Sequence, residues 1–244
     1  MGLFDWLFRR TPQLPIQVWV DEEDRRRGLA RAVRQDLAKG RHALVVAHFP
    51  DELVACGQAL AAAGVAFATL PRWTDADAQA LTGATRAVAV LARSLPEAVA
   101  AASRPKASGR ALVHAAELHV LPAANERVAA FARSLPVAAE SMGHASLTSP
   151  HVGAFAWPGL RSLLQRLGLK PDDPIANPMV TSVLHKALRA YAAKSTGDRA
   201  ANSLAEWMER NGPPRCTCCR RPTTASPRSR RACRSRPRRS AMPR

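Results

Sequence analysis

Cysteine is almost missing from most of this 244-residue chain. Of five cysteines, Cys216, Cys218, Cys219 and Cys233 fall in the last 32 residues, leaving Cys56 alone in the body. One thiol cannot staple a fold, so the body fits a reducing compartment and must be held by its core. Aromatic residues are also scarce, at 5%. No run approaches the roughly 18 apolar residues that a membrane-spanning helix needs. The opening "MGLFDWLFRR" lacks a long apolar stretch and a small-residue cleavage site, so it does not read as a secretory leader. No G-x-x-x-x-G-K-[ST] occurs, which excludes the usual cradle for a triphosphate. No acidic metal-holding motif follows a strand, and no nucleophile elbow or Ser–His–Asp order is present.

Acidic residues are missing from the end of the chain. From Pro213 to Arg244 there are eleven arginines and no acid, so eleven of the net +17 charges sit there and +6 remains for the rest. The charge that suggests nucleic acid is therefore a property of the tail. Three readings of "CTCCRRPTTASPRSRRACRSRPRRSAMPR" stand open. One is a zinc site, though thirteen residues separate Cys219 from Cys233 and no histidine follows. A second is an arginine-rich arm for nucleic acid or anionic lipid. The third is a GC-rich gene read out of frame, which the abrupt change of composition after "EWMERNGPP" favours.

Apolar residues make up 47% of the chain, enough to build a sizeable core. Between Val18 and Leu121 short apolar runs alternate with helical segments. "ALVVAH" (43–48), "VAFATL" (65–70) and "RAVAVLA" (86–92) read as strands, and "ALVHAAELHVL" holds a fourth. "DELVACGQALAAAG" reads as a helix stopped by Gly64, Thr74 with Asp77 opens another, and "EAVAAA" a third. This alternation predicts a parallel sheet covered on both faces. After Leu121 strand signals fade and helices follow: "ANERVAAFARSL", "PGLRSLLQRLG" closed by Gly168, and one opened by Pro178. In that last helix Val180, Val183, Leu184, Ala187, Leu188 and Tyr191 form one expected buried stripe. Asp198 then precedes a final helix burying Leu204, Trp207 and Met208.

The predicted units are an N-terminal amphipathic segment (1–17), an α/β domain (18–140), a helical segment (141–212) and an Arg/Pro/Cys-rich disordered tail (213–244). In the first, Leu3, Phe4, Trp6, Leu7 and Phe8 beside Arg9 and Arg10 suit an anionic membrane surface, a partner, or the chain's own domain.

"GLKPDDPIANPMVTSVLHKAL" resembles the SecA preprotein translocase motor family where the second nucleotide-binding domain passes into the helical scaffold. Gly168, Lys170, Asp172, Pro174, Ile175, Met179, Val180, Thr181 and Ala187 stand in register with G-M-K-E-D-E-P-I-x-x-x-M-V-T-x-x-I-x-x-A-Q. Ser146, Leu147 and Phe155 match S-L-E-D-x-L-x-x-x-F, and "NSLAEWMERN" is similar to N-L-L-E-Y-D-D. "GRHALVVAHFPDEL" is similar to the opening of that domain, and Glu117 and His119 to its E-R-H strand end. The resemblance covers residues 19–211 and is specific in the last third. It implies a RecA-like, helicase C-terminal-like doubly wound sheet with a helical extension, a place in preprotein export, and ATP as the family's cofactor.

Departures from the family are as informative. "ARSLPEA" stands where the motor has G-R-G-T-D, and "NERVAAFARS" where it has Q-L-R-G-R-S-G-R; Thr148 and Ser149 replace an acidic pair. Arg127 and Arg133 lie near the lost arginines but out of register. With Glu117 and His119 they are the weak nucleotide-site candidates. Losing an arginine finger alone costs roughly 10³ to 10⁵ in phosphoryl-transfer rate. The expectation is a module without catalytic residues, cofactor or metal, cytoplasmic or peripheral at the inner membrane. Its expected partner is the translocation machinery or a complementary motor-domain protein. A helicase-like protein gripping nucleic acid through the tail is the alternative. His48 and Phe49 end a strand, His114, Glu117 and His119 alternate as weak metal ligands, and Cys56 reads as a core residue.

Overall fold

The computed structural model describes residues 14–96, 107–153, 173–175 and 178–213. Strands β1 (Ile16–Trp19), β2 (His42–Ala47), β3 (Phe67–Leu70), β4 (Ala87–Leu91), β5 (Arg110–Ala115) and β6 (Ala138–Ser146) form one sheet in the order β1-β6-β5-β2-β4-β3. Every pairing in it is parallel. The helices are α1 (Glu22–Ala38), α2 (Pro50–Ala62), α3 (Asp75–Gln79), α4 (Pro122–Ser134), α5 (Pro150–Gly153), α6 (Pro178–Ala192) and α7 (Leu204–Asn211).

Side-chain alternation explains the layering. Along β2, Ala43, Val45 and Ala47 face α1 and α2, packing with Leu29, Val33, Cys56 and Leu60. Leu44 and Val46 face the opposite way, toward Val128 and Phe131 of α4 and Leu184 and Leu188 of α6. Each such fully buried aliphatic side chain contributes about 1.5–3 kcal/mol. The doubly wound α/β fold read from the sequence is therefore present.

Helix starts follow local chemistry. The Asp21 carboxylate accepts from the Asp24 amide at 2.9 Å, and three acids fill the first turn of α1. Thr74 and Asp77 form a reciprocal capping box on α3. Gly64 closes the α2 region at φ 70°, where a β-carbon is strained.

Four expectations need correction. Strand signals do not end at Leu121: β6, nine residues long, runs through the predicted 140/141 boundary and pairs with both β5 and β1. Its small and polar residues hid it, because His144 and Ser146 are buried by hydrogen bonding. Asp198 does not start the last helix; Ser203 caps α7 and Asp198 accepts from the Trp207 indole at 2.8 Å. Val183 is 60% exposed, so the α6 stripe narrows to Leu184, Leu188 and Tyr191 with half-buried Val180 and Ala187. The helix packs on the rest of the fold from one side only. Finally, β5 ends at Ala115, so Glu117 and His119 lie beyond the strand. Segments 1–13, 97–106, 154–172, 176–177 and 214–244 lie outside the described residues. With them lie "EAVAAA", "PGLRSLLQRLG", Gly168, Lys170, Asp172, the amphipathic stretch and the tail. Among the described residues no helix is long and apolar enough to cross a membrane.

A buried polar chain crosses the sheet beneath α1. The Trp19 indole N–H can only donate, and it reaches His144 Nδ1 at 3.4 Å. His144 therefore carries its proton on Nε2 and donates to His114 Nδ1 at 3.1 Å. His114 in turn donates from Nε2 to the Asp36 carboxylate at 2.9 Å, and Arg41 pairs with Asp36. Burial, with His114 beside it, holds His144 neutral by pushing its pKa well below the usual imidazole range. The Trp19 ring runs so close under α1 that a β-carbon on Gly28 would overlap it. Gly28→Ala is expected to destabilise the fold by about 1–3 kcal/mol through overpacking. Urea unfolding of the two proteins measures this; an unchanged midpoint contradicts the close approach.

Candidate functional site

The chain leaves β2 through α2 toward the β3 edge on one face, and leaves β5 through α4 toward β6 on the other. The loops after these adjacent strands part there, and such switch points form the ligand crevices of open parallel sheets. His48 and Phe49 come from the β2 side, Glu117 to His119 from the β5 side.

The site has two halves. On one, Arg25 is 1% exposed and lies 2.6 Å from Glu22 and 2.8 Å from Glu52, while donating to the Ala116 carbonyl. Arg26 reaches the other Glu52 oxygen at 2.7 Å. Ser146 donates to Glu22 at 2.6 Å, and Ser149 donates to the same oxygen. Burial works to raise the Glu22 pKa, but Arg25 and the two serines together hold it down at about 2. Glu52 is likewise lowered, burial being outweighed by Arg26 and Arg25. Cys56 donates to Glu52 at 3.0 Å, and burial with that carboxylate pushes its thiol up, so it is an unreactive core residue. Among the described residues Glu117 forms no ion pair, Arg25 being engaged by Glu22 and Glu52. Burial, then Glu52, raises it to about 8, so it is protonated at neutral pH while accepting from the Phe49 amide at 3.3 Å.

The other half is aromatic. His119 packs against Phe49 and His48, with ring centres 5.4 and 5.2 Å away, and Trp207 of α7 meets it edge-on at 4.9 Å. Asn125 brackets His119, accepting from its amide at 2.9 Å and donating to its carbonyl at 2.7 Å. The Leu121 amide donates to His119 Nδ1 at 3.1 Å, which places the ring proton on Nε2. Burial lowers His119 to about 4 and His48 to about 3, so both are neutral. These rings, with Arg93, Arg127 and Asp198, line a crevice of about 400 Å³.

Of the sequence candidates, His119 and Arg127 line this crevice, while Glu117 lines a neighbouring pocket with Glu22, Arg26 and Glu52. Arg133 does neither: it is exposed and pairs with Glu126 at 2.6 Å. His114 is committed to His144 and Asp36, so it joins neither Glu117 nor His119. Among the described residues no three candidate ligands gather to hold a metal. Neither helix at the crevice presents a free phosphate nest. Both α2 and α4 begin with proline, which has no N–H. Asp51 and Glu52 crowd the first turn of α2, and the Asp51 amide is taken by the Asn202 carbonyl.

The predicted joint touches the opposite edge of the sheet. Ile175, 2% exposed, donates its amide to the Val18 carbonyl at 2.7 Å and adds an antiparallel bridge to β1. Pro174 is half-buried, as are Val180 and Thr181 in the first turns of α6. Met179 lies in the same turn. Sequence reasoning missed Glu22, Arg25, Glu52, Arg93 and Asp198 as site-forming. In "DEEDRRRGL" the one buried arginine looks like its half-buried and exposed neighbours, Arg26 and Arg27.

No family model matches this chain, and no curated protein does. Among solved structures it is similar to the C-terminal part of the Fun30 ATPase domain. The identity is 10%, the coverage 66% of this chain and 53% of that one, and the TM-score 0.36. The chain thus spans about half the length of that structure.

The protonated state of Glu117 makes a signed prediction. In the unfolded chain it ionises near 4.5, in the fold near 8. Its contribution is fully present below 4.5 and is lost as pH rises toward 8. His48 and His119, lowered in the fold, act oppositely and lose stability as pH falls below 6.5. Glu117→Gln removes only the first effect, so its stability relative to the parent is expected to rise between pH 5.5 and 8. Urea midpoints at both pH values test this, and a pH-independent difference rejects a protonated Glu117.

Proposed function

We propose that this chain is a SecA-like binding or scaffold module of the preprotein export pathway that does not hydrolyse ATP by itself. The observation supporting it most is the state of the switch-point crevice. Proline-started helices flank it, acids occupy one helix start, and Trp207 of the chain's own α7 covers His119. Phosphoryl transfer depends on positioned backbone donors and cations around the phosphates. The kinship itself rests on the resemblance through Pro174, Ile175, Met179, Val180 and Thr181. The Ile175 bridge gives that joint a role, since it anchors the start of α6 to β1. The partners that follow are translocation components or a motor-domain protein that supplies the missing half in trans, at the cytoplasmic side of the inner membrane. Purified full-length chain is expected to show no ATP turnover above buffer and no shift in unfolding temperature with Mg-ATP. Robust hydrolysis without a partner would overturn the proposal.

The tail's eleven arginines without an acid favour a second reading, a helicase-like nucleic-acid binder. On that reading RNA or DNA affinity falls steeply with salt and disappears when residues 213–244 are deleted. Binding unaffected by the deletion dismisses the tail as its source.

A further inference from the structure

We infer that the apolar groove between α4, α6 and the start of β1 is the docking site of this chain's own N-terminal segment, seating apolar side chains from Leu3 to Phe8. The groove encloses about 310 Å³, at the lower end of the roughly 300–1,000 Å³ found for small-molecule sites. Leu14 and Leu188 form its floor and are themselves well packed. The surface still open to a guest comes from half-buried Ile16 and from exposed Pro122 and Ala123 of α4. On the rim, Glu126 pairs with Arg133 and Arg189 of α6 is exposed. Such a groove recruits by burying apolar surface, with a charge only at its margin.

Three features name the occupant. The chain passes directly from the segment into the groove, because Leu14 both follows residues 1–13 and belongs to the floor. The five residues Arg9 to Gln13 span up to about 17 Å when extended, enough to bring the residues before them back across it. Pro12 and Pro15 keep a helix from running on into β1, so the chain is free to reverse there. Composition is the second feature. Leu3, Phe4, Trp6, Leu7 and Phe8 are apolar, and Leu3 with Leu7, and Phe4 with Phe8, stand four apart, the spacing of one helical face. Leaving that face in water costs about 25 cal/mol for each Å² it could bury. Charge is the third. Asp5 is the only acid among residues 1–13, and Arg189 offers it a partner beside the apolar lining. Docking occupies the same side chains that an anionic membrane surface would take, so the groove keeps that face covered. The contact does not depend on the proposed kinship, and ATP turnover would leave it standing.

Photocrosslinking in the full chain tests the assignment, with p-benzoylphenylalanine in place of Trp6 and the adducts located by peptide mapping. Adducts are expected within the same chain, on residues 122–126 or 185–189, and a second probe in place of Phe4 is expected to map to the same two stretches. Ala123→Glu sets a charge on the open wall at an exposed position. It is expected to cut the yield by about fivefold or more while the urea midpoint stays unchanged. Leu7→Ser with Phe8→Ser is expected to cut it as far. Adducts confined to other parts of the chain, or joining two copies, overturn the intramolecular site. Adducts formed only with lipid, when phosphatidylserine vesicles are present, assign the segment to a membrane and overturn it too. A yield unchanged in Ala123→Glu, or no adduct from either probe, shows the groove empty of this segment and also overturns the proposal.

Discussion

Everything at the carboxyl edge of the sheet depends on one buried charge. Arg25 projects from α1 into a space where three separate elements end, and it gives each of them a partner. Glu22 sits one turn earlier, Glu52 opens α2, and the Ala116 carbonyl follows β5. A cation this buried is tolerable only when every donor is engaged, and removing one partner of such a pair typically costs about 3–5 kcal/mol. The arrangement fixes how α1, α2 and the β5 exit sit together, and so fixes the mouth of the switch point. Glu117 is the remainder of that arithmetic. With Arg25 shared between two carboxylates, a third acid nearby stays protonated.

How much of this could be read from the chain followed from how each residue is buried. The β2 and β4 strands were legible because "ALVVA" and "AVAVL" are buried on both faces and apolar throughout. The Thr74 cap and the Gly64 stop were legible because both act within four residues. β6 was not, since "AAESMGHAS" buries polar side chains that long-range partners satisfy, and 124 residues separate Ser146 from Glu22. His48 was legible as the residue just after a strand, and Glu117 and His119 were placed on a strand end that they in fact lie beyond, whereas Arg25 was not legible at all, because burial of one arginine in a run of three depends on the angle at which α1 crosses the sheet. Arg133 and Arg127 look alike in sequence; only the turn of α4 separates them, sending one to solvent and one to the crevice.

The aromatic half of the site shows the same division between local and distant causes. His119 owes its tautomer to the Leu121 amide two residues away. Its surroundings belong to a segment 88 residues downstream, where Trp207 is held upright by Asp198. Helix α7 is therefore part of the α/β unit, joined through Phe49, Val120, Tyr191 and Leu204. A helical extension that returns to cover the sheet's carboxyl end is a different object from one that projects away from it.

The bridge between Ile175 and Val18 has one more effect. A terminal strand in a sheet offers unsatisfied amides and carbonyls to any passing extended chain, a hazard for solubility. Here the β1 border is stitched by an antiparallel residue from the same molecule, set behind a proline that could not donate. The other border, β3, is four residues long and carries exposed Ala68 and Thr69 between half-buried neighbours. Among the described residues, that short, weakly apolar margin is the border that no antiparallel residue bridges.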